Sequence, residues 1–390
     1  MANEANVPAE RPHRLRKIVV TGAAGLLGWH ASARLHAANC MARYRNETEP
    51  FEIVQLDRAA FQDDAVLSKA VSGSESVLHF AGVNRGSDTE IEGNVAIARR
   101  LANICRAQGA TPHVVYANST HAQGTSVYGQ AKRQAAEILA GIGGGFTDMI
   151  LPHIFGECAR PNYNNVTATF IDKVIREETP NVDPAGRVQL LYAGTAAQVT
   201  IDAAMQGLQG ELVPAPRPTE VPSLFDTLRR FHADYAVNLL PDLSQPFIRD
   251  LFNSYRAALY PQSFPRPLRL HTDVRGTLFE TVKGGGGGQS FASWTQPGIT
   301  RGNHFHLHKI ERFLVLEGEA IIRIRRVLGG PVWTYRVSGR KPAPVDMPTL
   351  HTHSIENVGN RPLLTLFWTH DLFDPAAPDT YFDPVLKESP

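Results

Sequence analysis

The sequence predicts a chain of two unlike halves: an α/β domain on a doubly wound parallel sheet, followed by an all-β domain. Three observations predict this. The chain has 390 residues, more than the roughly 250–300 at which a single hydrophobic core stops growing. From Lys17 to Pro152 short apolar runs alternate with segments of helical apolar spacing, the pattern of crossover units. After Leu268 the helical patterns stop, and short β-rich runs separated by turn signals take over.

In the first half, Lys17–Val20, Phe51–Leu56, Ser76–Phe80, His113–Ala117 and Thr147–Leu151 read as strands. Leu26–Ala38, Asn94–Gln108 and Ser126–Leu139 read as helices between them. From His153 to about Gln262 the pattern loosens around Pro184, Pro214, Pro216 and Pro218, with helical segments at Leu224–Phe231 and Phe247–Leu259. Pro261, Pro265 and Pro267 then mark a boundary. The expected division is a disordered tail over residues 1–16, a first domain over 17–262 whose substrate-binding part is 153–262, and a second domain over 268–390. In that second domain, expected strands include Thr277–Glu280, Gln289–Thr295, Phe313–Leu316, Ala320–Arg325 and His353–Asn357. The glycine run Gly284–Gly288 reads as a mobile loop, not a phosphate cradle, because no helix follows it.

A formal net charge of +1 gives no electrostatic case for nucleic acid or an anionic membrane surface. Cys40, Cys105 and Cys158 are few and far apart, which argues against a disulfide framework and for a reducing compartment. No apolar run reaches the ~18 residues of a membrane helix, and the polar start lacks the apolar segment of a signal peptide. A cytoplasmic protein is expected.

Gly22-Ala23-Ala24-Gly25-Leu26-Leu27-Gly28 follows a strand and opens a helix. Glycines there let the backbone approach a pyrophosphate, and the helix start supplies N–H donors. The second strand ends at Asp57-Arg58. An acid at that point suits a ribose 2′-hydroxyl and an arginine suits a 2′-phosphate. NADPH is favoured through Arg58, with NADH as the alternative. Phe80, Ala81 and Gly82 end another strand, where small residues would let the adenosine lie close.

Tyr128 and Lys132 stand four residues apart on an expected helix and share a face. A phenol titrates near ~10 unless a cation helps it, so the pair suits acid–base work at a carbonyl. Ser119, at the end of the preceding strand, could hydrogen-bond the same oxygen. These residues resemble the extended short-chain dehydrogenase/reductase superfamily, with its Rossmann-type fold, over about residues 17–262. The resemblance implies Tyr128 as proton donor or acceptor, Lys132 on the nicotinamide ribose and Ser119 orienting substrate. It also places Asn94 as the Asn that supports the substrate site.

His304-x-His306-x₄-Glu311 and, about forty residues on, His353 lie within β-pattern. Alternate residues of a strand share a face, and three imidazoles with one carboxylate suit Zn²⁺, Fe²⁺, Mn²⁺ or Ni²⁺. The two motifs resemble those of a metal-binding cupin, a jelly-roll fold, with zinc the first choice. His308 and His351 fall outside the pattern and read as outlying or supporting histidines. Asp273-Val274-Arg275-Gly276 resembles the D-x-R-G of cupin epimerases acting on keto-deoxysugar nucleotides, where the equivalent of Arg275 helps hold a diphosphate; a structural ion pair is the alternative.

The order of these parts, with His79–Arg85, Arg160–Asn165, Pro297–His304 and Phe373–Phe382, resembles the bifunctional capsular-polysaccharide enzymes of the CapF type. That resemblance implies a homodimer acting on a UDP-linked 2-acetamido-2,6-dideoxy-4-ketohexose. The cupin would epimerise C3 and the reductase would then reduce C4 with NADPH, toward N-acetylfucosamine. Leu191–Ala196 and Asp57 depart from the expected pattern. Alternatives are a reductase whose cupin is only a structural or dimerising module, an iron dioxygenase, and a nucleotide-sensing regulator.

Overall fold

Residues 15–386 are described by the structure, a computed structural model. The expected disordered tail falls on residues 1–14, outside the described residues, except for its last two positions. Arg16 is not tail: it begins the first strand, opposite Phe51.

The first half holds a six-stranded sheet in which all pairs are parallel. Its order is Phe51–Leu56, Arg16–Thr21, Ser76–His79, His113–Ser119, Phe146–Leu151, Gly210–Leu212. The β-branched run Ile18-Val19-Val20 is fully buried, as a strand covered on both faces must be. One face packs helices Leu26–Tyr44 and Ala193–Gln206; the other packs Asp64–Val71, Asp88–Ala107 and Val127–Ala140. Chain order reverses at Arg16–Thr21, which lies between the second and third strands. Ligands bind at the carboxyl ends of strands at such a switch point.

Residues 153–262 form a small sheet of His153–Phe155, Arg187–Tyr192 and Arg217–Glu220, with helices Val166–Ile175, Val221–Ala236 and Pro246–Ala258. The β-rich region is a sandwich of a four-stranded and a five-stranded antiparallel sheet. The expected strand at Thr277–Glu280 differs: Gly276–Leu278 pairs with His271–Asp273 in a separate hairpin.

The junction between the halves is packed and polar. Leu239–Leu240 pairs with Lys283–Gly284, so the glycine run begins as a strand. Phe252, Tyr255 and Tyr260 share one core cluster with Phe313, Val345 and Met347. The fully buried Arg312 binds Asp346 through Nε at 2.5 Å and Nη2 at 2.7 Å, and the Tyr235 hydroxyl donates to the same carboxylate. Helix Leu26–Tyr44 touches the sandwich directly: Trp29 Nε1 donates to Val327 O at 3.2 Å, and Ala33, Ala37 and Cys40 pack with Phe305 and Leu350.

Candidate active site and metal centre

A cleft of about 980 Å³ opens along the carboxyl ends of the parallel strands. Gly22, Gly25, Leu26, Leu27, Gly28, Asp57, Arg58, Phe80, Ala81, Gly82, Ser119, Tyr128 and Lys132 all line it. Gly22 holds a left-handed φ of 65°, and a Cβ there would come 2.8 Å from Ala81 N. A Cβ on Gly28 would come 2.2 Å from Gly22 O. Side chains are therefore excluded at Gly22 and Gly28, and the helix start is open to a pyrophosphate. Asp57 Oδ1 accepts from Ala60 N at 2.8 Å, so this acid also caps the following short helix.

Tyr128 O–H donates to Asn84 Oδ1 at 3.2 Å. Burial pushes the phenol up, and a hydrogen bond with Ser119 partly opposes this. Lys132 is buried; its Nζ donates to Ala117 O at 2.6 Å and lies 4.2 Å from the Tyr116 ring centroid. Burial pulls its ammonium down to about 7, against the nearby Asp148.

Asn94 does not line the cleft. It is buried, with Oδ1 accepting from Val83 N at 2.9 Å and Nδ2 donating to Val83 O and Ile91 O, both at 2.8 Å. Both N–H donors of its amide and one lone pair of its oxygen are engaged by backbone. It therefore clamps the loop that carries Asn84 instead of touching substrate. Arg275 is exposed in its hairpin, and its guanidinium binds Asp273 Oδ2 from Nε at 3.0 Å and Nη2 at 2.5 Å. It lines no part of the cleft at the parallel sheet.

The second constellation lies in the sandwich. Ligand atoms of His304, His306, Glu311 and His353 all fall within 4.8 Å of one another. His304 ends on strand Thr300–Phe305, His306 follows just past it, Glu311 opens Glu311–Glu317, and His353 sits in His351–Asn357. His306 Nδ1 is 2.6 Å from Asp379 O and His353 Nδ1 is 3.1 Å from His351 O. A carbonyl only accepts, so each Nδ1 carries a hydrogen, and in the neutral ring Nε2 then presents a lone pair. Yet both Nε2 atoms face Glu311 Oε2 at 3.1 Å. Acceptors converging on a carboxylate call for a cation between them, and the donor set suits a divalent metal. His304 is the ligand open to solvent, with 21% of its side chain exposed. Asp379 fixes the adjoining loop by accepting from Leu307 N, His308 N and Lys309 N. His351 supports the site through its carbonyl, while its own ring stacks on Trp333.

Residues 18–200 match the NAD dependent epimerase/dehydratase family, and residues 271–381 match the Polysaccharide biosynthesis C-terminal domain. The crystal structure of capsular polysaccharide assembling protein CapF from Staphylococcus aureus is 31% identical, with a TM-score of 0.57, over 94% of this chain and 100% of that one. The chain belongs to the CapF family. A CapF structure with the inhibitor 3-isopropenyl-tropolone is 30% identical, with a TM-score of 0.53, over 95% of this chain and 100% of its own. The UDP-2-acetamido-2,6-beta-L-arabino-hexul-4-ose reductase of Pseudomonas aeruginosa is 28% identical over 375 residues, 94% of this chain and 98% of that protein.

In this CapF-family chain several cleft residues stand beyond the expected site residues. Asn84, His121, His153, Asn164 and Asn165 line the cleft. Asn84 carries a findable signal: it stands two residues past Gly82, at a strand's carboxyl end, where ligands bind in open α/β sheets. Among the described residues, no helix is long and apolar enough to cross a membrane.

Proposed function

We propose that the chain is a bifunctional enzyme of UDP-linked 2-acetamido-2,6-dideoxy-4-ketohexoses. The domain at 268–390 epimerises C3, and the domain at 17–262 then reduces the C4 ketone with NADPH, on the route to N-acetylfucosamine for capsule or O-antigen. The observation that carries the reading is the convergence of Ser119, Tyr128 and Lys132 with the glycine turn in one cleft. The reductase named above, of similar length throughout, supports the substrate class and the C4 chemistry.

In this reading the turn from Gly22 to Gly28 holds the pyrophosphate, Asp57 and Arg58 meet the adenosine ribose and its 2′-phosphate, and Lys132 holds the nicotinamide ribose. A reduced nicotinamide bound there supplies the hydride for C4. Ser119 Oγ and Tyr128 O–H bind the ketone oxygen, and Tyr128 gives up its proton as the carbonyl becomes an alkoxide. The charge on Lys132 stabilises the phenolate that remains. Ser119 also accepts from His121 N at 3.2 Å, which fixes its position at the strand end.

His304, His306, Glu311 and His353 would hold a divalent metal, zinc in the first instance. Such an ion supplies Lewis acidity toward an enolate oxygen. The C4 ketone acidifies C3–H; its proton leaves from one face and returns on the other. The partly exposed His304 marks the side from which substrate would reach the ligands. The proposal includes a cytoplasmic homodimer, supported by exposed Phe291 and Trp294 on the edge strand Gln289–Thr295.

The test is product NMR after incubation with the 4-keto-6-deoxy-HexNAc nucleotide and NADPH in D₂O. Deuterium at C3 with a newly formed C4 alcohol is expected. Normal turnover by a Tyr128→Phe variant would overturn the reductase assignment. Undiminished C3 exchange in a folded Glu311→Gln variant would leave the cupin a structural module.

A further inference from the structure

Lys132 carries its charge into a buried site whose hydrogen-bonding partner is neutral. Nζ donates to Ala117 O and rests over the Tyr116 ring. Neither supplies a negative charge, and a buried ammonium without one tends to lose its proton. Helix Val127–Ala140 holds it there against strand His113–Ser119.

On the neighbouring strand, Asp148 is the register partner of Tyr116. Its Oδ2 accepts from Asn118 Nδ2 at 3.0 Å, while Oδ1 is buried with no hydrogen-bond partner. A buried carboxylate oxygen left unpaired is itself costly. A cation lacking an anion and a carboxylate with one oxygen lacking a donor thus stand beside the same tyrosine.

We infer that Asp148 is the counter-charge of Lys132, a positioning residue that keeps Lys132 cationic near neutral pH and so keeps Tyr128 competent. The part concerning Tyr128 rests on the reductase reading; the charge pairing does not. Other titratable groups around Lys132 do not replace Asp148. His79 from strand Ser76–His79 is buried, pushed down to about 3 and hydrogen-bonded to Thr21, so it is neutral. Tyr116 and Tyr128 are both raised by burial and stay neutral. Glu211, on the next strand, is the register partner of Asp148 and sits one strand further away. Burial and, less strongly, Glu211 raise the Asp148 carboxyl while Asn118 and Lys132 oppose that, as a partly compensated, half-buried anion requires.

The test uses the full chain labelled with [¹³Cε]lysine, the Lys132 resonance assigned through Lys132→Arg. In Asp148→Asn the Lys132 midpoint is expected about one pH unit or more below the parent's, a tenfold loss of cation at a given pH. Asp148→Glu is expected to restore it. Linkage is reciprocal, so Lys132→Met is expected to raise the Asp148 midpoint, read from [¹³Cγ]aspartate; this arm serves if Asp148→Asn does not fold. Unchanged midpoints in folded variants overturn the pairing. With 4-keto substrate, the alkaline limb of kcat should move with the Lys132 midpoint. A chain inactive in every form would fail the reductase reading alone, since the NMR arms need no turnover.

Discussion

Tyr128 points its hydroxyl hydrogen at Asn84 Oδ1, 3.2 Å away, and Asn84 is carried by a loop that Asn94 clamps from beneath. The phenol is thus held protonated and aimed into the cleft, the state an acid needs before hydride arrives. Tyr128→Phe should lower turnover by about 10²–10⁴-fold, the usual range for a lost proton donor. Asn84→Ala should lower it less, while both variants still bind NADPH. Steady-state kinetics beside a cofactor titration by fluorescence checks this. Wild-type kcat in Asn84→Ala would mean that its contact with Tyr128 is incidental.

Asp57 and Arg58 part company in the structure. Both line the cleft, but one Asp57 oxygen is already engaged in capping the next helix. Arg58→Ala should therefore weaken NADPH by roughly tenfold or more, the scale of a lost hydrogen bond to a charged group, and leave NADH nearly unchanged. Binding isotherms for the two cofactors decide the point, and equal losses for both would remove Arg58 from 2′-phosphate recognition.

The metal site makes a prediction independent of catalysis. Each of His306 and His353 offers Nε2 because a backbone carbonyl holds the other nitrogen. His353→Ala removes a buried ligand and leaves Glu311 with one fewer partner. Bound divalent metal, measured by elemental analysis, should fall well below one per chain. The melting temperature should drop and no longer respond to chelator. Full metal content in that variant would show that the remaining three residues suffice.

These two sites differ in how they were readable. The glycine turn, Tyr128–Lys132 and the pair His304/His306 obey short-range periodicities, so spacing alone brings each to one face, whereas Glu311 and His353 join the metal site from two other strands and were legible only as motifs. Asn84 meets Tyr128 from 44 residues away, and Asp148 comes beside Lys132 only through the pairing of its strand with His113–Ser119, which no local period reveals. Helix Ala193–Gln206 gives a weak signal for another reason: its buried face is made mostly of small or polar residues, Ala193, Gly194, Ala196, Ala197, Thr200, Ala203 and Ala204, so no strongly apolar stripe stands out. Helix Leu26–Tyr44 runs beyond the expected Ala38 because its later turns bury Asn39, Cys40 and Ala42, with Cys40 against the second half. The junction of Arg312 with Asp346 and Tyr235 joins segments distant in sequence and had no sequence signal.

That junction should be sensitive to half-removal. Asp346→Ala leaves Arg312 buried without its anion, and breaking such a pair costs about 3–5 kcal/mol. Chemical denaturation should show this loss. The double variant Asp346→Ala/Arg312→Met should recover part of it, because no uncompensated charge remains. A loss under 1 kcal/mol in Asp346→Ala would mean that water reaches Arg312.

A second contact between the halves should make stability depend on pH. His36, on helix Leu26–Tyr44, lies 3.5 Å from Asp383 Oδ1, just past strand Tyr381–Phe382 of the sandwich. Burial would lower its imidazole, but bonds to Asp383 and Cys40 outweigh it and raise it to about 9. The folded value lies above the unfolded value of about 6.5. The stabilisation is therefore fully present below about pH 6.5 and fades as pH rises through about 9. Melting temperature should fall between pH 7 and 9.5, by an amount corresponding to about 1–3 kcal/mol. His36→Asn should flatten that dependence and lower stability chiefly at the acidic end. Parallel melting curves of the parent and His36→Asn would show that the His36–Asp383 contact does not carry the pH response.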